Sequence, residues 1–112
     1  MFDFYYGFSS PEPKGKYTPL SQDAIAQLKE LSVSFENRQL FDGYQYTANF
    51  PNGYGIDIIK HHHSYGNRND QFEIAVLKNG DLCYNTEITN DVIGYLPETD
   101  VLDYALRIYK LS

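Results

Sequence analysis

The clearest pattern in the chain begins at Tyr44. Tyr44, Tyr46, Ala48 and Phe50 alternate strictly with Gln45, Thr47 and Asn49. Successive side chains of a strand point to opposite faces, so this stretch predicts a half-buried β-strand. Pro51-Asn52-Gly53 follows, and register decides which turn it makes. A two-residue Asn52-Gly53 loop would pair Phe50 with Gly55 and put Ile56 and Ile58 on the face opposite the aromatics. A three-residue loop over 51–53 instead pairs Phe50 with Tyr54, Ala48 with Ile56 and Tyr46 with Ile58. Directly opposed residues share a face, so only the second register gathers the apolar set. It also puts proline first and glycine last, as a type I turn with a left-handed glycine bulge requires.

The same reasoning predicts a second hairpin. Phe72, Ile74 and Val76 alternate with Glu73, Ala75 and Leu77, and Asn79-Gly80 is a type I′ turn signal leading into Leu82, Cys83 and Tyr84. Pairing about it sets Val76 opposite Cys83 and Leu77 opposite Leu82. Both faces are then partly apolar, which predicts a central place in the sheet. Upstream, Leu20, Ala24, Ile25, Leu28 and Leu31 follow helical spacing, with Thr18 expected as N-cap, Pro19 as first helical residue and an end near Ser32. Val33 to Leu40 reads as a short strand of weaker pattern. Thr89-Asn90-Asp91 is expected to cap a short helical turn through Val92, Ile93 and Leu96, and Pro97 to Leu111 predicts the final helix. Its acids Glu98, Asp100 and Asp103 lie near the N-terminus and Arg107 and Lys110 near the C-terminus, as the helix dipole prefers. The expected fold is therefore one α+β domain over 1–112, an antiparallel sheet of about four strands (two β-hairpins) packed with two main helices.

Ahead of this domain, residues 1–17 read as an aromatic arm and a Pro/Gly connector. Phe2, Phe4, Tyr5, Tyr6 and Phe8 precede Pro11, Pro13 and Gly15, which prevent regular pairing. The arm could pack on its own domain, pair at a sheet edge or dock on another chain, which would make a homodimer.

Composition changes the picture in three ways. The chain has 15 acidic against 9 basic residues, a formal charge of −6. That field disfavours nucleic acid and anionic membrane surfaces and favours a partner protein with a basic surface, chiefly by speeding encounter. The acids are mixed with bases along the chain, which argues against mimicry of DNA. The single Cys83 excludes an internal disulfide and fits a reducing compartment, and no apolar run is long enough to span a membrane. The N-terminus lacks the basic region of a signal peptide, so a cytoplasmic location is expected. Finally, 11 Tyr and 7 Phe supply rings that serve cores and interfaces equally well.

Several short stretches together resemble a family of small proteins encoded by tailed bacteriophages. They are Asn52-Gly53-Tyr54-Gly55, Ser64-Tyr65-Gly66, Phe72 to Leu77, Leu82 to Thr86, Ile88-Thr89 and Asp91 to Leu96. The resemblance covers the second half of the chain. Asn85 stands where the family commonly carries an acidic residue. The resemblance implies an accessory factor acting inside an infected bacterium, in the manner of small phage proteins that inhibit a host defence component.

Candidate chemistry is sparse. His61-His62-His63 offers imidazoles suited to zinc, nickel or copper, but an extended strand lets only His61 and His63 share a face. A third ligand would have to come from Asp57, Asp70 or Cys83. These histidines read instead as solvated loop residues, and no metal or other cofactor is predicted. Cys83 sits mid-strand between Leu82 and Tyr84, as a packed residue rather than a nucleophile. Glu73, Glu87 and Asp91 could meet as an acid–base pair, but spacing does not place them together. No phosphate-binding loop, nucleophile elbow or metalloprotease motif is present, so no enzyme is predicted. What stands out is the polar connection 61–70, much longer than a usual hairpin loop and carrying Tyr65 and Arg68, residue types favoured as interface anchors. It is expected to be largely exposed above a core containing Ile74, Val76, Cys83 and Ile108. The expected partner-binding residues are Tyr65, Arg68, His61 and His63 in that loop and Tyr5 and Tyr6 in the arm. The expected function is inhibition of a host protein by binding. A small-molecule or nucleotide binder, with tyrosines and Arg68 holding an anion, and a virion assembly component are the alternatives.

Overall fold

Amphipathic strands joined by tight turns build an antiparallel sheet, and two helices cover its apolar face. The structure, a computed structural model, describes residues 16–112; the arm with Tyr5 and Tyr6 lies outside the described residues. In chain order the elements are α1 (Gln22–Leu31), β1 (Ser34–Leu40), β2 (Gly43–Asn49), β3 (Tyr54–Lys60), a 3₁₀ turn (Asn67–Asn69), β4 (Phe72–Lys78), β5 (Asp81–Leu82), β6 (Ile93–Leu96) and α2 (Glu98–Tyr109). The strands run in the order β1-β2-β3-β4, and the far side of β4 is shared by β5 and β6. The chain is thus an α+β protein with a six-stranded sheet, wider than the four strands expected.

The β2–β3 register has Tyr46 opposite Ile58 and Ala48 opposite Ile56, the pairing that the three-residue turn demands. Phe50 N–H donates to Tyr54 O at 2.7 Å, and Gly53 closes the turn at φ 88°. Asn52 adds a role invisible in the turn pattern. Its Nδ2 lies 2.9–3.0 Å from the carbonyl oxygens of Ile108, Tyr109 and Leu111, so the turn caps the C-terminal end of α2, where orphan carbonyls need donors. The second hairpin also has the expected pairing, Leu77 opposite Leu82 with Cys83 N–H donating to Val76 O. Ile74, Val76, Cys83 and Ile108 all belong to the buried cluster, with Leu28, Tyr46, Phe50 and Val101.

Two expectations fail. Helix α1 is capped by Ser21, whose Oγ accepts from Ala24 N, and not by Thr18. Ser21 in turn donates its N–H and hydroxyl to the two carboxylate oxygens of Glu98, at 2.6 and 2.7 Å, tying the starts of both helices together. Thr18 is held in an irregular segment because its N–H and hydroxyl both donate to Asp70. The expected helical turn through Val92 to Leu96 is instead strand β6, which pairs Phe72 with Leu96 and Ile74 with Ile93. The reason is that β5 covers only one end of β4, leaving backbone groups at its other end that a strand satisfies and a helix does not. Among the described residues no helix is long and apolar enough to cross a membrane.

Candidate functional site

Strand β3 ends at Lys60, and the chain must then turn back to start β4. It does so with a tight loop whose base is buried. Ser64 N–H and hydroxyl both donate to His61 O, and Ser64 Oγ accepts from His61 N–H. His63 N–H donates to His61 Nδ1 at 3.1 Å, a role that requires an unprotonated Nδ1. Burial lowers the His61 pKa below 6.5, and the neighbouring His62 and His63 push the same way. At the far end, Asp70 adopts a left-handed backbone and gathers Thr18 and the Lys60 ammonium. The loop therefore reaches solvent at His62, His63, Tyr65 and Arg68 to Asp70, whereas His61, Ser64 and Gly66 are buried. Most of the loop is thus exposed, as expected, but its base is not, and the burial of His61 corrects its expected place on the surface on which a partner could dock.

The outer face of the loop is framed by residues from two other turns. On one side Phe41, between β1 and β2, sets its ring edge-on to His61, His62 and His63, with centroids 5.0, 5.5 and 5.5 Å away. Next to it Asp42 accepts from the ring and the backbone N–H of His62, at 2.9 and 3.0 Å, and its other oxygen lies 3.4 Å from Lys16 Nζ. Desolvation works against ionising Asp42, but the hydrogen bonds from His62 and Lys16 outweigh it and hold the carboxyl well below its ordinary range. On the other side β6 packs closely. Tyr95 N–H donates to Tyr65 O, and a Cβ on Gly94 would lie 2.4 Å from Tyr65 Cβ, so only glycine admits this approach. Tyr65 is anchored by its N–H to Glu73 Oε1 at 2.8 Å, while its ring stands out. Tyr65, Arg68 and Tyr95 border an open groove of about 460 Å³, which His63 also lines.

Two rings on this rim stand on unusual backbone. Phe41 and Tyr95 have φ of 54° and 60°, a left-handed conformation disfavoured for bulky residues, and are 61% and 60% exposed. Tyr65 is also 60% exposed. The structure thus brings Tyr65, Arg68 and His63 to one face and adds His62, which the sequence marked only as part of the histidine run, and Phe41 and Tyr95, which it did not mark as site residues. A turn signal was readable at Phe41-Asp42-Gly43; nothing local marked Tyr95. Asp57, Asp70 and Cys83 do not join the histidines, and no three His, Cys, Asp or Glu side chains among the described residues converge to hold a metal ion. Asp57 is occupied on the sheet face, accepting from Gln45 and Thr47, and Cys83 Sγ lies 3.0 Å from Asn85 Oδ1. No protein-family model, no curated protein and no solved structure matches this chain.

Proposed function

We propose that the domain is an interaction protein that binds a host protein and blocks it by covering its surface, using the aromatic rim around loop 61–70. The observation that carries this reading is the pair Phe41 and Tyr95. A left-handed backbone costs a bulky residue about 1–3 kcal/mol, and such strain clusters at sites where function needs it. Here the strain holds two rings that remain mostly exposed to water. Tyr65, bonded to Tyr95 through the backbone, is exposed as well, and Arg68, which lines the same groove, has no carboxylate within salt-bridge distance among the described residues. Exposed aromatic and arginine side chains grouped in this way have the composition of a binding hot spot.

A protein surface suits the rim better than a small ligand, because the groove is open and would leave one face of a bound molecule in water. The net charge of −6 favours a basic partner surface through faster encounter. The wider setting, a phage-type factor acting in the bacterial cytoplasm on a defence component, follows from the resemblance of residues within 52–96 to tailed-phage proteins.

The test compares the native chain with a Tyr65→Ala/Arg68→Ala variant as bait in a bacterial lysate. A defined protein held by the native chain and lost from the equally folded variant supports the proposal. Equal capture by both moves the binding face elsewhere. A co-purifying metabolite seen by native mass spectrometry, with no protein held, overturns the proposal in favour of a small-molecule binder.

A further inference from the structure

Strand β1 is the outer edge of the sheet, and none of the described strands pairs with its free side. The opposite side of the sheet is blunted, since β4 is covered there by a two-residue strand and a four-residue strand. Edge strands of seven residues are usually protected, because their unpaired N–H and C=O groups template pairing with another chain. β1 contains no proline and no lysine, and its register against β2 runs from Ser34 to Leu40 without a bulge.

Hydrogen-bond parity identifies which groups point outward. Phe50 bonds to Tyr54, so the even-numbered residues of β2 turn their backbone groups towards β3 and the odd-numbered ones towards β1. Through the register, Ser34, Glu36, Arg38 and Leu40 bond inward. Phe35, Asn37 and Gln39 are left with N–H and C=O directed outward. The side chains follow the same alternation. Arg38 Nε donates to Gln45 Oε1 at 2.6 Å on the face away from the helices, which Glu36 shares, whereas Phe35 packs towards Tyr46 on the helix face.

We propose that β1 pairs with β1 of a second copy of this chain, antiparallel about a two-fold axis at Asn37. This register sets Asn37 opposite Asn37 and Phe35 opposite Gln39, so all the outward groups meet as hydrogen-bonded pairs. It also sets Glu36 opposite Arg38 of the second copy, twice by symmetry, in the closer non-hydrogen-bonded positions where cross-strand charges interact most. Charges on an edge ordinarily discourage pairing, but here they select the register. Moving the axis by one residue faces Glu36 with Glu36, or Arg38 with Arg38, which is repulsive. A surface complementary to itself about a two-fold axis is what an isologous dimer needs. One strand pair buries little area, so the dimer is weak and concentration-dependent. The rim at loop 61–70 lies at the end of the sheet that also holds the β1–β2 turn, so the dimer presents two rims at opposite ends of a continuous sheet.

Sedimentation velocity and light scattering on the full chain, over a concentration series up to about 0.5 mM, read the result. The native chain is expected to dimerise, and Asn37→Pro, which deletes an outward N–H while sparing the bonds to β2, to be monomeric. Glu36→Arg and Arg38→Glu should each raise the dimer Kd about tenfold or more, and the double exchange should restore it. The charge series stands on its own if Asn37→Pro does not fold. A native chain that stays monomeric throughout overturns the proposal. So does a dimer indifferent to the charge reversals, or one lost only when residues 1–15 are removed.

Discussion

Lys60 and Asp70 meet at 3.1 Å beneath the 61–70 loop, yet only one of them is buried: the lysine side chain is 2% exposed and the aspartate 45%. The ammonium also donates to Thr18 O at 2.8 Å and lies 3.8 Å from the centre of the Phe72 ring. Burial lowers the Lys60 pKa, and Asp70 works against that shift. The pair joins the loop to the segment leading into α1, which is why Thr18 does not cap the helix.

The asymmetry of exposure gives an asymmetry of mutation. Asp70→Asn preserves the left-handed backbone and one acceptor oxygen but leaves a buried ammonium without its counter-charge. It is expected to cost about 2 kcal/mol, below the usual cost of breaking a buried pair because Asp70 is partly solvated. Lys60→Met fills the same space and leaves Asp70 to Thr18 and water, so a change within about 1 kcal/mol is expected. Urea unfolding of both variants checks this, and equal losses would show that the two ends of the pair are equivalent.

His61 makes folding sensitive to pH. Its pKa is lowered from 6.5 in the folded chain, so the folded state binds fewer protons there than the unfolded one. The stability this contributes is present above pH 6.5 and is lost as pH falls through the folded value. Protonating Nδ1 also turns the acceptor of the His63 N–H bond into a donor. Melting temperatures should decline as pH is lowered from 6.5, and His61→Gln should flatten that decline. A variant that keeps the full slope would assign it to other groups.

Loop and core should respond in opposite ways. The Tyr65→Ala/Arg68→Ala variant alters exposed side chains, and each change is expected to stay within about 0.5 kcal/mol of folding stability. Ile74→Ala empties a site at 1% exposure in the centre of β4 and should cost about 2–5 kcal/mol. Thermal or urea melts separate the two. Unfolding of the loop variant would make Tyr65 and Arg68 structural residues.

Phe41→Asn and Tyr95→Asn test whether strain is held for binding. Asparagine tolerates a left-handed backbone far better than an aromatic does. Each variant is expected to keep or gain stability, within about 1 kcal/mol, while binding of the captured partner weakens by about 2 kcal/mol or more. Calorimetric melting and titration of the partner supply the two readings. Lost stability with unchanged affinity would make these rings packing elements.

Local periodicity and turn chemistry made much of the fold legible in the sequence. The β2–β3 register follows from which pairing keeps Tyr46, Ala48, Ile56 and Ile58 on one face, and the Asn79-Gly80 hairpin from two residues that accept positive φ. Tyr65 and Arg68 were legible as exposed because they stand in a long polar connection. What only the tertiary structure decided depends on partners far away in the chain. Thr18 is claimed by Asp70, 52 residues on, and Ser21 by Glu98, 77 residues on, so the helix start moves. Residues 93–96 become a strand because β4 has an open edge, and His61 and Lys60 are buried by what folds over them. Periodicity reports a residue's neighbours along its own element. Burial, charge pairing and the grouping of Phe41, Tyr65 and Tyr95 are set by neighbours in space, which no local pattern encodes.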